Sequence, residues 1–182
     1  MTIDSVITEY LSVLDGITAV FLDSRNGFEL LQAHIETQAG SKSWDEPIYF
    51  GDGPPATCEN VAHATTIGDR IGRNACDGEN CTFVSNMAVV SIYGYWEDHF
   101  RAEIAKALGK EKNQVASDIF GDIRRLRQSI VHHRGIALKD VESCKVLQWF
   151  SENDQIFLSE TMYIQMLAEI HEYLRRLKAH AL

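Results

Sequence analysis

The chain has 182 residues and a mass of 20.5 kDa, enough for one domain with a substantial core. Hydrophobic residues make up 45% and charged residues 24%, with three prolines, which excludes a disordered or collagen-like chain. With 17 Lys and Arg against 26 Asp and Glu the net charge is −9, which excludes a protein that coats phosphate backbones by overall attraction and leaves only a local basic patch for such contacts.

Four cysteines, Cys58, Cys76, Cys81 and Cys144, are too few for a disulfide framework, and the first residues lack the basic and apolar blocks of a secretory signal. The expectation is reduced thiols and a cytoplasmic location. The longest apolar run, Met87 to Trp96, is interrupted by Ser91 and Gly94 and falls short of the roughly 20 residues that a membrane span needs, so none is expected.

Ile3, Ile7, Tyr10, Leu14, Ile17 and Phe21, then Phe28, Leu31 and Ile35, keep one three-and-four spacing and predict a long helix over about residues 2–37. The phase survives Asn26-Gly27, favouring one helix over a helical hairpin, although a break there is the alternative. Periodicity vanishes from Gly40 to Pro55, which reads as a loop with a conceivable short strand at Ile48 to Phe50. Glu59 to Arg73 can form a polar helix and Asn74 to Asn80 a turn, so residues 39–80 form a loop-rich excursion.

Phe83, Met87, Val90 and Gly94, then Trp96, Phe100, Ile104 and Ala107, predict a buried helix closing at Gly109. Asn113 is the expected N-cap of the next helix, whose stripe is Ile119, Ile123, Leu126 and Ile130 and whose stop is Gly135. Asp140 to Phe150 reads as a weak helix and Gln155 to Leu158 as extended. Ser159 is placed to cap a final helix with Tyr163, Leu167, Ile170, Leu174 and Leu177 inward. The fold class expected is all-α, an up-and-down bundle of about five helices in a single domain, with the long loop inserted before a core bundle at about residues 81–180.

The chemically informative segment runs from Arg124 to Gly135. On an ideal helix, with the apolar stripe inward, His132 points outward and Gln128 lies one turn below it. Arg127 and Arg134 superpose on one flank of the core stripe, and His133 falls on the other. About 140° separates Arg127 from His132 on such a helix, so the pair is expected to meet only across an interface, as a two-fold dimer allows. The helix C-terminus favours the protonated imidazole and the neighbouring arginines oppose it. An imidazole poised near neutrality beside guanidinium suits phosphodiester transesterification, the first moving a proton and the second holding the developing charge.

Arg127-Gln-Ser-Ile-Val-His132 resembles the motif of the HEPN superfamily, an Arg, commonly followed by a polar residue, and a His after four to six intervening positions, at the end of a late helix. Gly135 downstream, Asp122 to Leu126 before it, and the aromatic-acidic stretch Tyr93 to Phe100 fit that pattern, and the resemblance covers about residues 81–180. It implies an all-α bundle, homodimerisation and metal-independent RNA cleavage through 2′-OH attack, in toxin, antiphage or RNA-processing roles. Arg127 and His132 would then be the catalytic pair and Gln128 the polar residue after the arginine. His133 also fits the permitted spacing, and His132 is preferred because it points away from the core. Some HEPN proteins are catalytically silent modules that associate with a nucleotidyltransferase or another toxin-system partner, and that is the alternative reading, as is an antitoxin partner for an active enzyme.

Arg124 and Arg134 are candidate contacts to the RNA backbone, the second also a candidate helix cap. Glu97 is a candidate orienting carboxylate for His132 or Arg127, ahead of Asp98, with His99 a weaker candidate. Cys58, His63, Cys76 and Cys81 contain zinc-binding atoms, but only Cys76-x₄-Cys81 approaches a ligand spacing, so neither a metal nor another cofactor is expected. The run Gly68 to Arg73 lacks the features of a phosphate loop. Trp44, Tyr49 and Phe50 in the excursion are candidate base-stacking groups or residues tucked under the fold.

Overall fold

A computed structural model describes residues 2–54 and 58–179. The described chain is mostly helical with one two-stranded sheet, and it divides into two compact units, residues 1–22 with 82–182 and residues 23–81. Its elements are α1 (Ile3–Ala39), β1 (Pro47–Gly51), β2 (Val61–Thr66), α2 (Ile67–Arg73), α3 (Glu79–Tyr95), a π-helical stretch (Trp96–Phe100), α4 (Arg101–Ala107), α5 (Asp118–His133) and α6 (Glu160–Ala179). Short 3₁₀ turns occupy Lys112–Gln114 and Lys139–Ser143.

α1 runs unbroken for 37 residues, through Gly16 and Gly27, so the continuous phase decides against a break at Asn26-Gly27. The Thr2 hydroxyl accepts the Ser5 N–H at 3.2 Å and caps its start. By length and composition alone α1 is apolar enough to cross a membrane, which the expectation of no span did not foresee. Val6, Ile7, Tyr10, Leu14 and Phe21 of the same helix are buried in the core of the larger unit.

The larger unit is a helical bundle around one core. Trp96 stacks on Phe120 with ring centroids 3.8 Å apart, Tyr10 lies 4.7 Å from Phe100, and Phe21 stacks on Tyr163 at 4.1 Å. α5 buries the stripe its spacing predicts, Ile119, Ile123, Leu126 and Ile130. α6 buries Tyr163, Met166, Ile170 and Leu174, and the Ser159 hydroxyl accepts the Met162 N–H at 3.3 Å as the expected cap.

α3 differs from its prediction. Phe83 and Met87, read as core, are 65% and 37% exposed, while Ala88, Val89 and Ile92 are buried. This helix is apolar around most of its circumference, so periodicity cannot say which side faces inward. Beyond it, Ile92, Trp96, Phe100 and Ile104 are all buried at successive four-residue steps. Each such step on an α-helix overshoots a full turn by about 40°. The wider i→i+5 turn at Trp96–Phe100 offsets that drift and keeps the four side chains in one core.

The described residues of the excursion carry a two-stranded sheet and a short helix. β1 pairs antiparallel with β2, Ile48 opposite Thr65 and Phe50 opposite His63. The Asp52 carboxylate accepts the N–H groups of Glu59 and Asn60, both at 3.2 Å, and the Asn60 side-chain amide at 2.6 Å. The helix expected over Glu59 to Arg73 is confined to α2, because Val61 to Thr66 give their backbone to β1. The Thr66 hydroxyl then accepts the Asp69 N–H at 3.0 Å and starts the helix there. Ile35, Ala39, Ile67 and Ile71 form the small core of this unit.

Two further expectations shift. Asn113 lies in the 3₁₀ turn rather than capping α5, which begins one residue after Ser117. Asp140 to Phe150 is not a helix beyond the 3₁₀ turn, because its backbone is claimed by a side chain. The fully buried Asp122 of α5 accepts N–H groups from Lys145 at 2.9 Å, Val146 at 2.6 Å and Leu147 at 3.0 Å, and is also paired with Arg125 at 3.3 Å. Three successive N–H groups turned toward one carboxylate cannot also bond carbonyls along a helix axis. Removing the carboxylate strands these donors, so Asp122→Ala is expected to lose about 3–5 kcal/mol of stability and Asp122→Asn clearly less. Urea midpoints of the two variants against the parent check the order.

Candidate functional site

α5 carries two opposed faces. Opposite the buried stripe, Arg124, Arg127, Gln128 and His132 occupy positions i, i+3, i+4 and i+8, one continuous strip of a helix. They line a cavity of about 330 Å³ within a single protomer. Arg127 and His132 are indeed on opposite edges of the strip, but Arg124 and Gln128 fill the middle. Within one protomer the two line the same hollow from its two edges, and no hydrogen bond joins them. The long arginine stem widens its reach.

The far wall comes from the helix before. Tyr93 of α3, Glu97 of the π-helical stretch and Arg101 of α4 complete the lining. Sequence reasoning had not singled out Tyr93 and Arg101 as site residues. Their signal was present in the i, i+4 spacing of Glu97 and Arg101, which form an ion pair at 2.9 Å. The other carboxylate oxygen of Glu97 meets Lys112 at 2.9 Å, and Arg101 also donates to the Val115 carbonyl at 2.8 Å. Glu97 is thus in the cavity, but its carboxylate is engaged by two cations of its own rather than by His132 or Arg127. Burial raises the pKa of Glu97, yet the hydrogen bonds from Lys112 and Arg101 and their charges carry it below the ordinary glutamate value. Burial, followed by the charge of Glu97, pushes the Tyr93 phenol up against the opposing effect of Arg124, Arg101 and Arg127.

The other four behave differently. Among the described residues, Arg124, Arg127, Gln128 and His132 make no side-chain hydrogen bond or ion pair with a protein group. Two unpaired guanidinium groups and an imidazole in one hollow of an acidic chain form the local basic patch that the net charge left open.

The end of α5 is set by backbone geometry. Arg134 and Gly135 both adopt left-handed conformations, φ 55° and 79°, and the Ser129 carbonyl accepts the Gly135 N–H at 3.2 Å. The φ of 79° at Gly135 strains any other residue, and a Cβ there would also lie 2.7 Å from the Gln155 amide nitrogen, which would have to move. His133 and Arg134 are exposed and lie outside the cavity lining, as do Asp98 and His99, which border a separate hollow beside Tyr95. Among the described residues, no three His, Cys, Asp or Glu side chains gather as a metal site requires. The four cysteines are free thiols, and burial together with the charge of Asp122 pushes Cys144 up to about 12.

Compared with known proteins, no family model and no solved structure matches the chain. It is 27% identical to fibrous sheath-interacting protein 2 of Mus musculus over 187 residues, covering 91% of this chain and 3% of that protein. At that identity, and over so small a part of the relative, the similarity shows no family.

Because Glu97 is held below its ordinary pKa, its contribution to stability is complete above about pH 4.3 and is lost as acid protonates it through its lower folded value. Glu97→Gln is expected to lower the urea midpoint near neutral pH and to make progressively less difference below about pH 4. Paired denaturation curves across that range check it.

Proposed function

We propose that the protein is a metal-independent endoribonuclease of HEPN type, acting in the cytoplasm as a homodimer on RNA. The observation that carries the reading is the strip of α5 on which Arg124, Arg127, Gln128 and His132 converge without protein partners, in a hollow walled by Tyr93 and Arg101. A hollow with free cations on one edge and an imidazole on the other suits a phosphodiester, whose negative oxygens need neutralising and whose 2′-OH needs a proton acceptor.

In the proposed reaction the neutral His132 imidazole takes the 2′-OH proton. The 2′ oxygen bonds to phosphorus as the bond from phosphorus to the 5′ oxygen breaks, and that oxygen takes up a proton. The products are a 2′,3′-cyclic phosphate and a 5′-hydroxyl end. Arg127, with Arg124 beside it, holds the non-bridging oxygens while charge builds on them, and Gln128 adds a neutral hydrogen bond between the two edges. Each cavity holds one imidazole, and the Glu97 carboxylate is occupied, so proton delivery to the leaving oxygen falls to a second copy of His132 across a two-fold axis.

Incubation with several RNAs in EDTA tests the reading. Cleavage is expected to leave 2′,3′-cyclic phosphate ends and to fall by about 10²–10⁴ in Arg127→Ala and in His132→Ala, while His133→Ala retains activity. Full cleavage by either of the first two variants overturns the site. An inactive parent protein overturns the enzymatic reading in favour of a silent HEPN-like binding module.

A further inference from the structure

The cationic cavity does not end at Arg124. A smaller hollow of about 150 Å³ shares Tyr93, Glu97, Arg101 and Arg124 with it, so the two adjoin within the larger unit. The character of the walls changes from one to the other. In the smaller hollow the almost fully buried Trp96, Phe120 and Val115 form an apolar floor, and the Trp96 ring is locked by its stack on Phe120 and an edge contact from Tyr173. Gly121 lines it with no side chain.

Glu97 and Arg101 are paired to each other there, but the hydroxyl groups around them are uncommitted. Ser117 stands in the N-cap position of α5, yet its side chain makes no capping hydrogen bond, and among the described residues its hydroxyl has no other partner. The Tyr93 hydroxyl, where the two hollows join, likewise makes no hydrogen bond among the described residues. The Ala116 carbonyl, in the same hollow, receives only a long bond of 3.5 Å from Tyr173.

A cleft that is cationic at one end and, at the other, has the Tyr93 ring over an apolar floor edged with hydroxyl and carbonyl groups is complementary to a nucleotide. A nucleotide joins an anion to a flat group with apolar faces and a polar edge. The smaller hollow has room for about five waters at roughly 30 Å³ each, which suits one base and excludes a stacked pair. We propose that it is a nucleobase subsite: the base next to the phosphate held by Arg124 and Arg127 turns out of the strand, lies against Tyr93, and presents its edge to Ser117. The proposal rests on the RNA reading above and narrows the substrate to unpaired RNA, because a base inside a duplex reaches such a recess only by leaving its stack and its partner.

The test compares the affinities of UMP and AMP with those of ribose 5-phosphate and inorganic phosphate, by calorimetry in EDTA. At least one nucleotide is expected to bind about tenfold or more tighter than ribose 5-phosphate, the scale of a single base contact. Gly121→Leu fills the recess. A Cβ there meets nothing nearer than the Arg125 guanidinium at 3.6 Å, and leucine suits a helix better than glycine. It is expected to bring nucleotide affinity down to that of ribose 5-phosphate. Ser117→Ala, a milder change that serves if the larger one does not fold, is expected to narrow the difference between AMP and UMP. Equal binding of nucleotides and ribose 5-phosphate by the parent protein, or a nucleotide preference that survives Gly121→Leu, overturns the subsite. RNA cleavage accompanied by equal binding overturns the subsite alone. Selective nucleotide binding without cleavage of any RNA supports the subsite and overturns the nuclease.

Discussion

A buried carboxylate fixes the orientation of the helix on which everything else sits. Asp122 lies about 160° around α5 from Arg124, on the side away from the cleft, and gathers the N–H groups of three consecutive residues, Lys145, Val146 and Leu147. Seven residues on, Ser129 does a smaller version of the same thing, its hydroxyl accepting the Leu138 N–H at 3.1 Å. Two polar anchors on one face, spaced by two helical turns, bind the irregular segment after α5 and stop the helix from rolling. With that face pinned, Arg124, Arg127, Gln128 and His132 must look outward. An apolar stripe alone tolerates a few degrees of rotation. Hydrogen bonds to a buried charge do not.

The opposite wall of the cleft depends on a different device. A π-helical stretch interrupts the α3–α4 helix at the residues that face α5, and Glu97 falls within it. Its carboxylate joins Arg101 to Lys112, so one of the three arginines around the cavity is neutralised and the other two are not. The result is uneven charge across a short distance, with the uncompensated cations, Arg124 and Arg127, on the α5 side. An overall acidic protein can hold an anion in this way, because the low-dielectric walls of a cleft concentrate the local charge against the distant excess.

How much of this was legible depended on whether one residue's environment dominated its position. The α5 stripe of Ile119, Ile123, Leu126 and Ile130 was readable because polar residues surround it, and the Ser159 cap because a hydroxyl precedes a clean period. The inward face of α3 was not, since Phe83 and Ile92 are equally apolar and only packing distinguishes them. β1 contains the short strand conceivable at Ile48 to Phe50, but β2 was hidden because Val61 to Thr66 carry few signals apart from their pairing with a distant segment. In the cleft, the basic cluster of α5 was visible, as was the wide separation of Arg127 from His132 on that helix; that they line one hollow was not. Arg101 and Tyr93 enter from another helix, and no local spacing on α5 could have placed them.

The chain path of the larger unit has its own consequence. Its core takes Val6 to Phe21 from one end of the sequence and everything after residue 81 from the other, with the hairpin and α2 between them. Assembly is therefore non-local: the first segment made waits for the last before its apolar side is covered, which places this protein among slower folders than its helix content suggests. The entropic toll of joining the two stretches rises only with the logarithm of the intervening length, about 0.6 kcal/mol for each doubling. Evolution can thus lengthen or shorten the hairpin at small thermodynamic expense, while the pairing of Tyr10 with Phe100 leaves the first helix little freedom to diverge.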